Sequence, residues 1–223
     1  MPVKVCTPQG CRDADIAAAI RWATDHGARV INMSLGGPSG SDVTHLAMID
    51  AHKRGVTMVC AAGNELQEHG PNHVGYPASF PECIAVSSVG PRGELAPYSD
   101  YGDPIDIAAP GGDSQHFGQQ GEIWQEIVTV SRRGASDQFA PKEGTSMASP
   151  HVAGVAALLV SLGVTDPDEV RSILRRSAKP RGPKEQYGAG LLDAAAAVKL
   201  AKEGSRQETK SDEVLEPLSH FTS

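Results

Sequence analysis

No stretch of this 223-residue chain is apolar for long enough to cross a bilayer. The longest such run, Val152 to Leu162, falls well short of the roughly 20 residues a spanning helix needs. A basic stripe is missing as well. With 20 Lys and Arg against 27 Asp and Glu, the net charge is -7, so neither a membrane nor a nucleic acid is an expected partner. The opening residues Met1-Pro2-Val3-Lys4-Val5 contain no apolar core of a secretory signal. No internal repeat is visible. Four cysteines indicate neither a disulfide framework nor a zinc site. Cys6 and Cys11 could bridge locally. Cys60 and Cys83 each fall in an apolar strand-like run and are expected to be buried free thiols.

What remains is a globular composition, 39% hydrophobic and 21% charged, of a size that suits one domain. Strand and helix patterns alternate, which predicts a parallel sheet covered on both faces. Val3 to Cys6 reads as a short strand. Asp13 is placed to cap a helix from about Asp15 to His26, with Ile16, Ala19, Ile20 and Ala23 on one face and Gly27 as its stop. Val30 to Met33 is the next strand. A helix begins at Ser41 or Asp42, and Val56 to Ala62, Cys83 to Val89 and Ile105 to Ala109 read as further strands. Gly121 to Val130 alternates like an antiparallel arm. Beyond Ser146 the chain is apolar almost all round, which suits a helix inside a core. Thr165 or Asp166 caps a later helix, and Leu191 to Ala201 reads as the last. Residues 202–223 are polar with little periodicity and are expected to form a flexible tail or linker.

Chemistry concentrates in Gly144-Thr145-Ser146-Met147-Ala148-Ser149-Pro150-His151-Val152-Ala153-Gly154. A tight turn delivers Ser146 to the first turn of a helix, where backbone N–H groups lack intrahelical partners and the macrodipole is positive. An oxyanion forming there would be stabilised. A serine at such a position is also a common helix cap. Ser146 is not in a Gly-x-Ser-x-Gly context, which disfavours an α/β-hydrolase.

This run resembles the nucleophile motif of the subtilisin-like serine proteases. Four further segments resemble the same family in the same order. Val30-Ile31-Asn32-Met33-Ser34-Leu35-Gly36-Gly37 is similar to its cleft strand, and Val59-Cys60-Ala61-Ala62-Gly63-Asn64 to its oxyanion strand. Val74-Gly75-Tyr76-Pro77-Ala78 is similar to its pocket wall, and Tyr187-Gly188-Ala189-Gly190-Leu191-Leu192-Asp193-Ala194 to its closing segment. The resemblance implies a three-layer α/β fold with a mainly parallel central sheet, incomplete on its N-terminal side, over residues 1–201. It implies a serine endopeptidase with Ser146 as nucleophile and Asn64 as oxyanion donor. Ser34, Leu35, Gly36, Ala61, Ala62, Gly63 and Gly75 would bind an extended polypeptide substrate. Glu65 reads either as pocket rim or as solvated surface.

In that family an aspartate motif and a His-Gly-Thr-His type motif precede the serine. This sequence contains neither, and it begins at a strand that the family places after both. His151 follows Ser146 by five residues on one helix, about 140° around the axis, so its expected role is structural. The other histidines read as surface or loop residues. The resemblance therefore implies a partner segment bearing the aspartate and histidine, and export from the cell. Any calcium site built by that segment would lie outside this chain, and no cofactor is expected within it.

Overall fold

A computed structural model of the protein describes residues 1–126 and 139–214. The chain opens with a small hairpin, β1 (Cys6–Thr7) and β2 (Gly10–Cys11), closed by a Cys6–Cys11 disulfide. The expected strand from Val3 is thus reduced to its last residue, because the hairpin turns the ladder back on itself. Helix α1 (Asp13–Asp25) buries Ile16, Ile20 and Ala23, which share one face at helical spacing. Its cap position is Arg12, not Asp13. Asp13 and Asp15 instead complement the dipole from inside the first turn.

Strand β3 (Val30–Met33) leads to α2 (Asp42–Lys53), then β4 (Thr57–Ala61) and a one-turn helix α3 (Leu66–His69). Next come β5 (Cys83–Val89), β6 (Ile105–Pro110) and a second one-turn helix α4 (Ser114–Phe117), followed by a 3-10 turn, Gly118–Gly121. Strands β7 (Ile123–Glu126) and β8 (Phe139–Lys142) form an antiparallel pair. The expected arm is therefore seen in part, since residues 127–130 lie outside the described residues. The remaining elements are α5 (Thr145–Ser161), α6 (Pro167–Ser177), α7 (Lys184–Tyr187) and α8 (Ala194–Val214). Asp166, not Thr165, caps α6, through a bond from the Asp168 N–H of 3.1 Å. Asp193 caps α8 and accepts the Ala196 N–H at 3.0 Å. The Asp193 carboxyl is held below its usual range by that N–H first and by Lys179 next. The last helix runs on to Val214, past the expected end at Ala201. Lys, Glu, Arg and Gln fill seven of the 13 positions from 202 to 214, and they favour helix without an apolar stripe. Residues 215–223 of the expected tail lie outside the described residues.

The central sheet has the order β3-β4-β5-β6, and every pairing in it is parallel. Alternation along the strands divides the core in two. Met58, Cys60, Cys83 and Ala85 face α1 and α2 in one cluster. Val59, Ile84, Val86 and Ile107 face α5, α6 and α8 in the other. All five residues of β4 and all seven of β5 are buried. This is the three-layer α/β arrangement that the residue pattern implies. β3 has one strand partner among the described residues. A groove of ≈ 580 Å³ runs along its open side, bounded by apolar residues such as Val3, Val5, Ile16, Ile20, Val30 and Ile31.

One expectation is overturned. Cys60 and Cys83 are not free thiols; they form a disulfide, and no described cysteine is free. The β4–β5 register pairs Met58 with Cys83 and Cys60 with Ala85, which sets Cys60 diagonal to Cys83 on the same sheet face. Closing a loop of sequence separation 23 should contribute about 3 kcal/mol in the chain-entropy account. The double variant Cys60→Ala, Cys83→Ala should lose about that much in urea unfolding.

Asp106 on β6 makes stability depend on pH. Its carboxylate accepts the Ala85 N–H at 3.1 Å and faces Arg171 at 3.4 Å and Arg175 at 3.3 Å. Burial pushes its pKa up in spite of the two arginines. The folded chain therefore holds this proton to higher pH than the unfolded chain, and the group's contribution to stability falls as pH rises through the folded value. The stability of the native chain minus that of Asp106→Asn should shrink with rising pH across that range, read from denaturant midpoints.

Candidate active site

The site lies beyond the carboxyl ends of β3 and β4, where ligands bind in open parallel sheets. Its base is a contact between β4 and α5. Gly144 occupies the α5 cap position with φ 146°, a backbone conformation that favours glycine. The turn before it is held by the Gly144 N–H, which donates to Gly111 O at 2.9 Å. The Tyr98 hydroxyl braces the same turn through Gly111 O and Gly112 O, at 3.0 and 2.7 Å. Burial pushes the Tyr98 pKa up to about 12, so this hydroxyl stays protonated and available as a donor.

Thr145, fully buried, ties the two elements together. Its N–H donates to Asn64 Oδ1 at 2.8 Å, and its hydroxyl accepts the Gly63 N–H at 3.2 Å. The hydroxyl proton is shared between Asn64 Oδ1 at 3.0 Å and Gly63 O at 3.2 Å. The Asn64 carbonyl oxygen is therefore occupied within the protein, which leaves its amide as the free, donating end. The added Cβ of a residue at 144 would meet Asn64 Nδ2 at 3.6 Å, so that amide lies beside the start of α5.

Ser146 is the second residue of α5, and its own N–H falls among those without an intrahelical partner. Four positions on lies Pro150, which has no N–H to give to the Ser146 carbonyl. Ser34 fills that gap: its hydroxyl donates to Ser146 O at 2.9 Å and contacts Ser149 Oγ at 3.0 Å. Ser34 thus lies behind Ser146, apart from the cavity that Leu35 and Gly36 line. Ala62 is likewise buried behind the wall, where its carbonyl accepts the Gly75 N–H at 2.8 Å.

The other expected residues come together. Leu35, Gly36, Ala61, Gly63, Asn64, Gly75 and Ser146 line one cavity of ≈ 210 Å³. Its far wall is stitched by Gly37 N–H to Tyr76 O at 2.9 Å and Tyr76 N–H to Gly37 O at 2.8 Å. A Cβ on Gly75 would come within 3.3 Å of Gly37 O and 3.4 Å of Ala62 O, so this close approach needs a small residue. Glu65 also lines the cavity while remaining exposed, and its carboxylate accepts the Asn64 N–H at 2.8 Å. His151 points elsewhere; its Nδ1 bonds Met147 O at 2.8 Å.

Three residues of this neighbourhood were not legible in the sequence. His69 and His73 line the same cavity. Asp100 lies under Gly63, its N–H donating to Gly63 O at 3.1 Å, and its carboxylate is fully buried. Burial first and the charge of Glu65 next push the Asp100 pKa up to about 6, against the opposing pull of His73. Gly63 has φ 120°, and a Cβ there would come within 2.2 Å of Asp100 Oδ2.

The fit to a calcium ion can be tested directly, since calcium takes about 6–8 oxygen ligands. Among the described residues, the convergent set of three or more His, Cys, Asp or Glu side chains is His69, His73 and Asp100. That set offers nitrogen more than oxygen and does not suit calcium.

Fold and cavity together define a subtilisin-like α/β protein. Residues 1–190 match the sequence model of the Subtilase family, and the chain belongs to that family. It is 39% identical to "Subtilisin DY" of Bacillus licheniformis over 183 residues, which is 82% of this chain and 61% of that protein. It is 40% identical to "Halolysin" of Haloferax mediterranei over 186 residues, 83% of this chain and 32% of that protein. A solved protease from Pseudoalteromonas arctica superposes with a TM-score of 0.81 at 38% identity, covering 90% of this chain and 62% of that one. The chain therefore spans less than two thirds of each of these three.

The Thr145 lock should be measurable in the chain by itself. Thr145→Val keeps the shape and removes the hydroxyl, leaving the Gly63 N–H and part of the Asn64 bonding unsatisfied. The expected loss is about 1–3 kcal/mol in denaturant unfolding.

Proposed function

We propose that residues 1–201 supply the nucleophile, the oxyanion donors and the pocket of a serine endopeptidase. The observation that carries this reading is the Thr145 N–H to Asn64 Oδ1 bond of 2.8 Å. It turns the Asn64 amide outward beside the N-terminal turn of α5, so a side-chain N–H and the Ser146 backbone N–H flank one site. In this reading Ser146 Oγ attacks the scissile carbonyl carbon while a general base takes its proton. The carbonyl oxygen becomes an oxyanion held by the Asn64 amide and the Ser146 N–H. Collapse breaks the C–N bond, the amine leaves with the proton, and water then releases the acyl group by the same route. The walls at Leu35–Gly36 and Ala61–Gly63 expose backbone that an extended substrate can bond as an added strand.

The base belongs to a partner segment bearing the aspartate and histidine. The groove beside β3 supports this, because an extended segment laid there would pair the open strand edge and cover the apolar wall. The two disulfides favour an oxidising compartment, in keeping with export.

A second reading is a peptide-holding module that does not cut. One observation favours it: among the described residues no imidazole hydrogen-bonds Ser146 Oγ.

A fluorophosphonate probe separates the two readings. Joined to a subtilase segment carrying the aspartate and histidine, the chain should label at Ser146 and cleave peptides, and Ser146→Ala should abolish both. In that assembly Asn64→Ala should lower kcat by roughly 10²–10³, a magnitude known for the oxyanion asparagine of a subtilisin rather than one obtained from this geometry. Peptide binding with no labelling in the joined form would sink the endopeptidase reading.

A further inference from the structure

We propose that His69, His73 and Asp100 form a binding site for a divalent transition-metal ion of the zinc class, set in the wall of the substrate cleft. One ligand atom from each residue lies within 4.8 Å of the others. The local fold brings them together from separate segments. Helix α3 ends at His69, Gly70 turns the chain with φ 75°, and His73 returns beside His69 with the ring centroids 4.3 Å apart. Asp100 comes from the segment between β5 and β6, held under Gly63 by its own N–H.

The independent sign of a ligand is Asp100 itself. Its side chain is fully buried, and neither carboxylate oxygen has a well-formed hydrogen bond, the groups beside it being the Glu65 carboxyl and the His73 ring. A buried carboxylate without donors is costly unless a cation meets it. His73 Nδ1 is buried too, unpartnered, and 3.5 Å from Asp100 Oδ2. That separation is too long for a good hydrogen bond. A simple His73–Asp100 ion pair would leave Asp100 Oδ1 orphaned and would give His69 no role. A metal ion accounts for all three residues at once.

The donor set selects the metal. Two imidazoles and one carboxylate suit zinc and its neighbours in the first transition row, whereas calcium and magnesium demand oxygen. His69 is exposed, so water can reach the remaining coordination position. Glu65, whose charge reaches Asp100, adds negative potential that favours a cation. An ion here would tie the loop of residues 65–73 to the buried Asp100 and so brace the wall that carries Asn64.

The test uses the full 223-residue chain without an affinity tag, stripped with a chelator and titrated with Co²⁺. The expected result is one Co²⁺ per chain with a visible d–d band, displaced by Zn²⁺. His69→Ala combined with His73→Ala should weaken binding by more than the roughly 10–100-fold that outer-sphere changes cost. Asp100→Asn should do likewise. Equal Co²⁺ binding in the native and double-variant chains overturns the proposal, and so does a native chain that takes up no stoichiometric Co²⁺. A measurement on the native chain needs no folded variant: Zn²⁺ should protect His69 and His73, but not exposed His26, from diethylpyrocarbonate. Undiminished modification of both histidines at saturating Zn²⁺ likewise overturns it.

Discussion

Everything in this fold follows from the burial of β4 and β5 on both faces. A strand covered on one side only would carry alternating polar residues. Here all twelve positions are buried, five in β4 and seven in β5, so each face must find its own helical layer. Helices α1 and α2 meet one face, and α5, α6 and α8 meet the other. Parallel strands cannot be joined by tight hairpins, so their connections must cross over, and the strand ends are left free for chemistry. The site is what this constraint leaves at the carboxyl edge: short turns, small residues and the blunt start of the most apolar helix.

At that edge the energetics are local and polar. Thr145 joins Gly63 and Asn64 to α5 through several bonds made in a fully buried position, where unsatisfied groups are expensive. The same bonds that secure the layer contact orient the Asn64 amide. Packing and pre-organisation are therefore one set of interactions, and a change to either disturbs both. The elements around them are fixed independently, by the Cys60–Cys83 disulfide between the strands and by the Tyr98 hydroxyl under the turn.

Much of this could be read from residue patterns. The strand and helix alternation, the apolar α5 and the grouping of Leu35, Gly36, Gly63, Asn64, Gly75 and Ser146 all follow from motifs short enough to be seen whole. What escaped depends on register or on distant segments. The Cys60–Cys83 bond requires knowing that Met58, not Cys60, lies opposite Cys83. The approach of Asp100 to His73 joins residues separated by two turns and a strand, and no spacing rule announces it. The length of α8 was hidden for a different reason. Its outer half has helix-forming residue types but no apolar stripe to mark it. Ser34 lies outside the cavity that Leu35 and Gly36 line, because Pro150, four residues beyond Ser146, leaves a carbonyl that its hydroxyl bonds.

That last feature has a mechanical side. Pro150 opens a gap in the α5 ladder, and the hydroxyl that closes it comes from the residue just after β3, the strand with an open flank. A hydrogen bond therefore links the peptide unit of Ser146 to the β3 edge of the sheet, which has one strand partner among the described residues. The Ser34 hydroxyl thus couples the placement of the Ser146 peptide unit to the placement of β3.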